Sequence, residues 1–401
     1  MMAYQSVTML IARPRLAFPA RADMRRLMSD ALTTDVLIVG AGIVGASLAA
    51  ALAPYRRVVM IEAEDRPGVH ATGRSAAFWH ESYGGLGVQP LSAASFATLA
   101  RPPAEFSDRP FLSPRTALTI GRGEEKPAVD AFTAAFAAKG VDVVRVTAAE
   151  VQARVPGIRS GWTEAAHEAA CSDIDVAALH AAYLRAAKRA GAVLVTRAPL
   201  QAARRAGGQW HVRTGQGDML AQLIVNAAGA WADGVAAACG LAPVAIQPYR
   251  RTMLQVRLGV PVPAALPLVV HVGGQFYFKG EGEGRIWLSP HDETPSDPCD
   301  AAPEEIDVAL AIERLQSVVD WPIAAVERKW AGLRSFAPDR LPVFGADPCE
   351  PSFIWCAGQG GFGIQTSPAI AQLLAAQLGA PPPGRAIAAV DPRPYSPSRF
   401  R

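Results

Sequence analysis

Charge is scarce in this 401-residue chain: Asp, Glu, Lys and Arg together make up 19%, and the formal net charge is only +3. Basic residues so few and so scattered form no nucleic-acid footprint, which needs a clustered positive surface. Cysteine is sparse as well. The five (Cys171, Cys239, Cys299, Cys349 and Cys356) are odd in number and contain no C-x-x-C pair, which argues against a zinc site and fits a reducing compartment better than a disulfide-stapled fold. The seven histidines include no H-x-x-x-H pair, so no helical face offers two imidazoles to an ion and no metal is expected. The 35 glycines and 33 prolines show no short period, which removes collagen-like and repeat architectures.

What is present is apolar. Half of the residues are hydrophobic, enough for a large core, and at roughly 100–200 residues per domain the length predicts two domains. With a mean hydropathy of +0.14, the uncharged run Val36 to Ala53 is about long enough to cross a bilayer, but its glycines point to a different use. The first thirty residues carry Arg13, Arg15, Arg21, Arg25 and Arg26 with one acid before Asp30. They have no periodic apolar face and no signal-peptide order. Three readings stay open for 1–31: a disordered extension or over-long start with Met24 or Met28 as the true beginning, a transit-like segment, or a functional arm.

The fold begins at Thr34. Asp35 to Val39 reads as a β-branched strand, Gly40-Ala41-Gly42-Ile43-Val44-Gly45 as a turn, and the Ala/Leu-rich stretch to about Ala53 as a helix. Gly40 allows the tight turn, Gly42 lets backbone approach a pyrophosphate, and Gly45 lets helix and strand pack closely. The helix N-terminus then faces the phosphates. The next strand, Val58 to Ile61, ends in Glu62-Ala63, about twenty residues beyond the first glycine, where an acid can bond a ribose hydroxyl. Strand, turn, helix and acid in register predict a dinucleotide site and remove the membrane reading. Arg66 to Ala77 follows as a turn-rich stretch whose Thr72, Gly73, Arg74, Ser75, Ala76 and Ala77 suit phosphate and flavin contacts, or form an ordinary surface loop.

Three later segments complete the pattern: Leu223 to Trp231 (LIVNAAGAW), Trp330 to Asp339 (WAGLRSFAPD) and Gly358 to Pro368 (GQGGFGIQTSP). From about Thr34 to Leu378 the chain resembles the FAD-dependent D-amino-acid oxidase and dehydrogenase family, which includes glycine oxidase and sarcosine oxidase. Within it, HATGRSAA, LSPR at Leu112 to Arg115, SDIDVAALH at Ser172 to His180, WAGLRSF and QGGFGIQTS are most similar to bacterial D-arginine dehydrogenase. The resemblance implies a mixed α/β fold: a Rossmann-type FAD domain split over 32–108, 146–240 and 326–382, a mainly antiparallel substrate domain over 109–145 and 241–325, and a tail over 383–401. It implies FAD as cofactor, with Ala228, Gly229 and Trp231 beside the ADP moiety and Gly360, Gly361, Phe362, Gly363, Ile364, Gln365 and Thr366 at the flavin. The turn at Gly358 to Gly363 reads independently as opening a helix near Pro368 to Leu378, Pro being favoured in a first turn. The tail is proline-rich and reads as a strap or a flexible end.

The chemistry so implied is hydride transfer from an amino-acid Cα to flavin N5, giving an imino acid. Arg251 and Arg334 take the carboxylate in the resemblance, as guanidinium forks can. Tyr277 adds a hydroxyl, Tyr83 closes the pocket, and the Gly332 carbonyl accepts from the amine. From the residues alone, Arg251 also reads as a surface cation beside Arg250, and Tyr277 as a core aromatic. Where the arginine enzyme has a glutamate for its substrate's guanidinium, this chain has Ala117, and Phe78 replaces a histidine. Ala117, Phe78, Leu268 and Val270 therefore predict a pocket for a neutral or apolar side chain. His80, or Glu81 beside it, is left to contact a polar substrate group or to tune the flavin. No cysteine lies in Gly332 to Asp339, the segment that tethers FAD in some sarcosine oxidases, so attachment is expected to be non-covalent. The expected partners are a small amino-acid substrate and an electron acceptor left open among a quinone, an electron-transfer protein and O2. No nucleic acid and no integral membrane segment are expected, and the location is expected to be cytoplasmic. Alternatives are an oxidase of glycine- or sarcosine-type amines and a flavoprotein subunit of a larger amino-acid dehydrogenase complex.

Overall fold

The computed structural model describes residues 32–263 and 265–401; the extension expected over 1–31 lies outside the described residues. The chain passes back and forth between two sheets. It starts with β1 (Leu32–Val39), α1 (Ile43–Leu52) and β2 (Val58–Ile61), crosses for β3 (Ala117–Gly121) and β4 (Glu164–Glu168), and returns through α2 (Val176–Arg189), β5 (Val193–Val195) and β6 (Gly217–Asn226). A second excursion supplies β7 (Gln247–Leu258), β8 (Tyr277–Gly282), β9 (Arg285–Ser289), α3 (Glu305–Val318) and β10 (Ile323–Phe336), before β11 (Phe353–Ala357) and α4 (Gly363–Gln377) finish the first layer.

The first sheet has a parallel block in the order β5, β2, β1, β6, β11. Val36 to Val39 and Val58 to Ile61 are all buried, as parallel strands covered on both faces must be. Ile38 and Met60 pack under α1, α2 and α4 with Leu48, Leu179 and Leu374. Leu37 and Val59 face the other way, with Val195, Trp210 and Val235. Uncharged Val36 to Ala53 is thus a buried strand and helix. Among the described residues no helix is long and apolar enough to cross a membrane.

The second sheet is ten-stranded and almost wholly antiparallel, running β10, β7, β9, β8, then Leu268–His271, β3 and β4. Its strongest pairing, β7 with β10, puts Arg251 opposite Gly332 and Tyr249 opposite Arg334. Sheet membership cuts across the expected boundaries: Glu164–Glu168 and all of Ile323–Phe336 from 326 onward, assigned from sequence to the FAD side, belong to strands of this second sheet. Pairing partners far apart in sequence decide membership, and no local signal carries them.

Two local expectations also change. The last helix starts at Gly363, so Pro368 lies inside it and not in its first turn. Pro368 lacks the N–H that the Ile364 carbonyl requires; the Ser367 hydroxyl donates to that carbonyl at 2.9 Å instead. The tail is a strap: Tyr395 is buried and stacks on Phe344 with ring centroids 5.2 Å apart, and Arg399 pairs with Asp339 at 2.7 Å.

Candidate active site

A cavity of about 470 Å³ is lined from both sheets. At one end stands the turn after β1. Gly40 has φ +101°, and a Cβ there would come within 2.5 Å of the Ala227 carbonyl oxygen; a Cβ on Gly45 would come within 1.9 Å of the Gly40 oxygen. Only glycine fits either position. The N-terminus of α1 opens at Gly42 with no side-chain cap from that residue, although the Ile43 N–H donates to Thr72 Oγ1 at 3.0 Å. Glu62, at the end of β2, holds its carboxylate at the cavity by accepting from the Ala41 and Glu64 N–H groups at 3.0 and 3.1 Å. The N-terminus of α4, also without a side-chain cap, opens on the same cavity through Gly361 and Gly363. Two uncapped helix ends along one cleft suit a ligand with negative charge at both places.

The substrate-side end is built by alternation along β7. Arg250 points outward to Asp307 at 3.1 Å and to Glu304, so Arg251 points inward. Arg251 Nε donates to the Asp292 carbonyl at 2.6 Å and Nη2 to Glu293 Oε1 at 3.0 Å. Its Nη1 is buried and has no partner. Arg334, from β10, donates to the hydroxyls of Tyr83 and, at 3.2 Å, of Tyr277, but meets no carboxylate. Tyr277 in turn donates to Met253 Sδ at 3.0 Å.

Burial pulls the Arg251 pKa down, and the positive Arg334 nearby pulls it further. Burial pushes the Tyr83 phenol up, but Arg334 and Arg251 outweigh it and hold this group below the ordinary tyrosine value. For Tyr277 burial wins and the pKa rises. A buried guanidinium with a free N–H beside a second, partly buried one makes a receptor for an anion.

Among the residues singled out from sequence, Gly40, Gly42, Ile43, Val44, Glu62, Ala63, Thr72, Arg74, Ser75, Ala76, Ala77, Ala228, Gly229, Trp231, Gly360, Gly361, Gly363, Ile364, Gln365, Arg251, Gly332 and Arg334 line the cavity. Tyr83 and Tyr277 join through Arg334. Gly45, Gly73, Phe362 and Thr366 stand behind the wall: the Thr366 hydroxyl donates to the Phe362 carbonyl within α4, and Phe362 packs edge-on to Tyr83.

Three expectations need correction. Arg74 does not lie free beside a phosphate site. It donates to the carbonyls of Val69, Ala301 and Ala331 at 3.0, 2.8 and 3.1 Å and pairs with Asp300, clasping two loops to β10. His80 does not reach the cavity. It is buried against Glu168 of β4, with Nε2 to Oε2 at 3.0 Å, because that carboxylate is itself held by the Glu81 N–H at 2.9 Å. The apolar residues expected at the side-chain pocket divide: Phe78 lines the cavity, whereas Ala117 and Leu268 are buried behind it in one cluster with Phe78, Met253 and Tyr277, and Val270 packs against that cluster.

Among the residues not singled out from sequence, Met253 and Cys299 line the cavity and His291 stands beside Tyr83. Met253 was legible, since it stands two residues after Arg251 on an alternating strand and so shares its face. Cys299 and His291 sit on loops with no periodic signal.

A dinucleotide-type parallel sheet sharing one cleft with a large antiparallel sheet, and ending in an arginine pair, defines a cofactor-dependent oxidoreductase. The family model described as "DAO: FAD dependent oxidoreductase" matches residues 35–377, and the chain belongs to that family. A curated relative, the bifunctional protein ThiO/ThiG of Synechocystis sp., is 25% identical over 351 residues, 85% of this chain and 51% of the relative. The chain thus spans about half the length of that relative. Among solved structures, glycine oxidase from Geobacillus kaustophilus is 24% identical with a TM-score of 0.79, covering 92% of this chain and 99% of its own. L-proline dehydrogenase from P. horikoshii is 20% identical with a TM-score of 0.78, covering 92% and 98%. These two show likeness of fold.

Proposed function

We propose that this FAD-dependent oxidoreductase oxidises an amino acid with one carboxylate and a neutral or apolar side chain to the imino acid. The observation that carries this is the unequal partnering of the arginine pair. Arg251 has Glu293 at 3.0 Å and Asp292 at 3.9 Å, whereas Arg334 has only tyrosine hydroxyls. Arg334 is left without a carboxylate in hydrogen-bond reach, and Arg251 Nη1 is left without an acceptor. A single substrate carboxylate answers both. A cationic side chain finds no answering acid, because the acidic residues lining the cavity are Glu62 and Glu64, at the dinucleotide end. Phe78 and Met253 offer it an apolar wall instead.

The cleft fits FAD by its glycine turn and its two open helix ends. Glu62 would hold the ribose, the backbone from Gly42 to Val44 the pyrophosphate, and Gly360 to Ile364 the isoalloxazine. When bound, FAD supplies the two-electron acceptor for the hydride leaving the substrate α-carbon. The protein's part is to fix the carboxylate between Arg251 and Arg334 so that the α-carbon has one orientation, and to keep water out with Phe78, Met253 and Tyr277. The Gly332 carbonyl, on the strand that carries Arg334, is the acceptor assigned to the amine. The D configuration and the dehydrogenase type rest on the sequence likeness to D-arginine dehydrogenase. An L-selective or glycine-type reading is the competing one, since the neighbours of similar fold include proteins named for glycine and for L-proline.

The test is an anaerobic titration of the purified holoenzyme with D- and L-amino acids, glycine and sarcosine, followed by admission of air. Bleaching of the flavin by D-leucine, D-methionine or D-phenylalanine supports the proposal, and slow recolouring in air supports a dehydrogenase. Faster bleaching by D-arginine, or by none of the amino acids, defeats it. Flavin freed by acid precipitation shows non-covalent binding.

A further inference from the structure

His291 lies on the loop after β9 with φ +55°, its N–H donating to Ser289 Oγ at 3.1 Å. Its Nδ1 is hydrogen-bonded to the Gly274 carbonyl. A carbonyl can only accept, so Nδ1 carries the ring proton and Nε2 is a lone pair. That lone pair is 3.5 Å from the Tyr83 hydroxyl. The Tyr83 oxygen already accepts from Arg334, so the phenolic proton needs an acceptor, and His291 Nε2 faces it. The loop is held in place: Arg314 of α3 donates to the carbonyls of Gln275 and Pro290, the neighbours of Gly274 and His291. Tyr277 stands edge-on to the imidazole, with ring centroids 5.5 Å apart.

We propose that His291 is a positioning residue of this site: as a neutral imidazole it takes the Tyr83 hydroxyl proton in a hydrogen bond, so that the Tyr83 oxygen turns its lone pairs to Arg334 and to an N–H of the bound substrate. The proposal rests on the amino-acid reading given above. The groups around the ring keep it neutral. Burial acts first, then Arg251 of β7, Arg334 of β10 and Arg340 beyond β10, and together they push the imidazole down to about 2 despite its bond to Gly274. Glu293, two residues on, is engaged by Arg251 and Arg340, and Asp292 by Thr252. These surroundings favour the neutral ring. Its contribution is the direction of one hydroxyl.

Two substitutions separate the ring nitrogens. His291→Asn places an amide N–H near Nδ1, suits a positive φ, and removes the acceptor at Nε2. His291→Gln reaches the Nε2 position and can restore that acceptor. In the holoenzyme, ultraviolet titration of tyrosinate, assigned by its loss in Tyr83→Phe, reads Tyr83 without turnover. A hydrogen bond donated by the phenol stabilises the neutral form, so His291→Asn should lower the Tyr83 pKa by about one unit, the tenfold effect of one such bond. It should also lower kcat/KM by about tenfold, and His291→Gln should recover part of both. An unmoved Tyr83 titration in His291→Asn, or Gln behaving as Asn does, overturns the proposal. If the titration moves as expected while no amino acid bleaches the flavin, the His291–Tyr83 bond stands and the amino-acid reading fails.

Discussion

Replacing Arg334 by methionine should abolish turnover without unfolding the protein. The guanidinium is partly buried and donates to two tyrosine hydroxyls, with no carboxylate in hydrogen-bond reach. In the proposed complex it gives the substrate carboxylate charge-assisted hydrogen bonds worth about 1.5–3 kcal/mol each. Losing about 4 kcal/mol of binding in the transition state lowers kcat/KM about a thousandfold. Stability should move the other way. A partly buried cation without an anion is costly, and an apolar residue of similar volume in its place is often neutral or stabilising by about 1–4 kcal/mol, set against about 1 kcal/mol for each tyrosine bond lost. The variant should therefore melt no lower than the parent. Arg251→Met makes the contrast, because it strands the Asp292 carbonyl that Arg251 Nε satisfies at 2.6 Å, and should cost about 1–3 kcal/mol. The assay is stopped-flow flavin reduction at varied amino-acid concentration, paired with thermal unfolding of the holoproteins. Were Arg334→Met to keep its kcat/KM within threefold, or to bind the amino acid normally while melting far below the parent, the charge argument would be wrong.

Gly361→Ala should mimic part of that loss, since its Cβ would stand 2.6 Å from Arg334 Nη1 and must push the guanidinium aside; a raised KM with retained flavin spectrum is the expected result. Asp173 is bound by Lys279 and Arg115, both at 2.6 Å. Burial raises its pKa, but the two cations outweigh this and hold it below the ordinary aspartate value of about 3.9. Its contribution to stability is therefore complete above that value and lost as pH falls through the depressed folded pKa. Asp173→Asn should cost about 3 kcal/mol at neutral pH and flatten the acid limb of a denaturation series, and an unchanged acid limb counts against the assignment. Of the five thiols, Cys299 and Cys349 are exposed and the other three buried, so native alkylation should label two. Because Cys299 lines the cavity, FAD should shield it and leave Cys349 reactive, as peptide mapping can show.

The dinucleotide half was legible because its constraints are local. Gly40 is required by its own positive φ and Gly45 by its contact with Gly40 in the same turn, and Glu62 follows from the length of one helix and one strand. The substrate half was legible only where alternation reaches. It places Arg251 and Met253 on one face of β7, but the pairing of β7 with β10 that brings Arg334 beside them joins residues about eighty apart. Arg74 shows the limit of reading a cation near phosphates: two backbone carbonyls from distant segments and one from its own turn converge on it, and carbonyl positions are not written in residue types. His80 was misplaced for a similar reason, since its partner Glu168 arrives on β4 from the other sheet.

Sequence by itself determined that this chain has an α/β fold with a dinucleotide-type glycine turn, that it belongs with the FAD-dependent oxidoreductases of its family, and which two arginines to propose as substrate groups. Backbone geometry in a glycine turn and period-two alternation in a strand are short-range, so residue order is enough to express them. Only the tertiary structure decided which guanidinium keeps a counter-ion, which nitrogen of Arg251 is free, and that His291 faces Tyr83 from a loop. Charge balance and hydrogen-bond satisfaction in a buried site depend on what every neighbouring segment brings to it, and those neighbours come from both sheets.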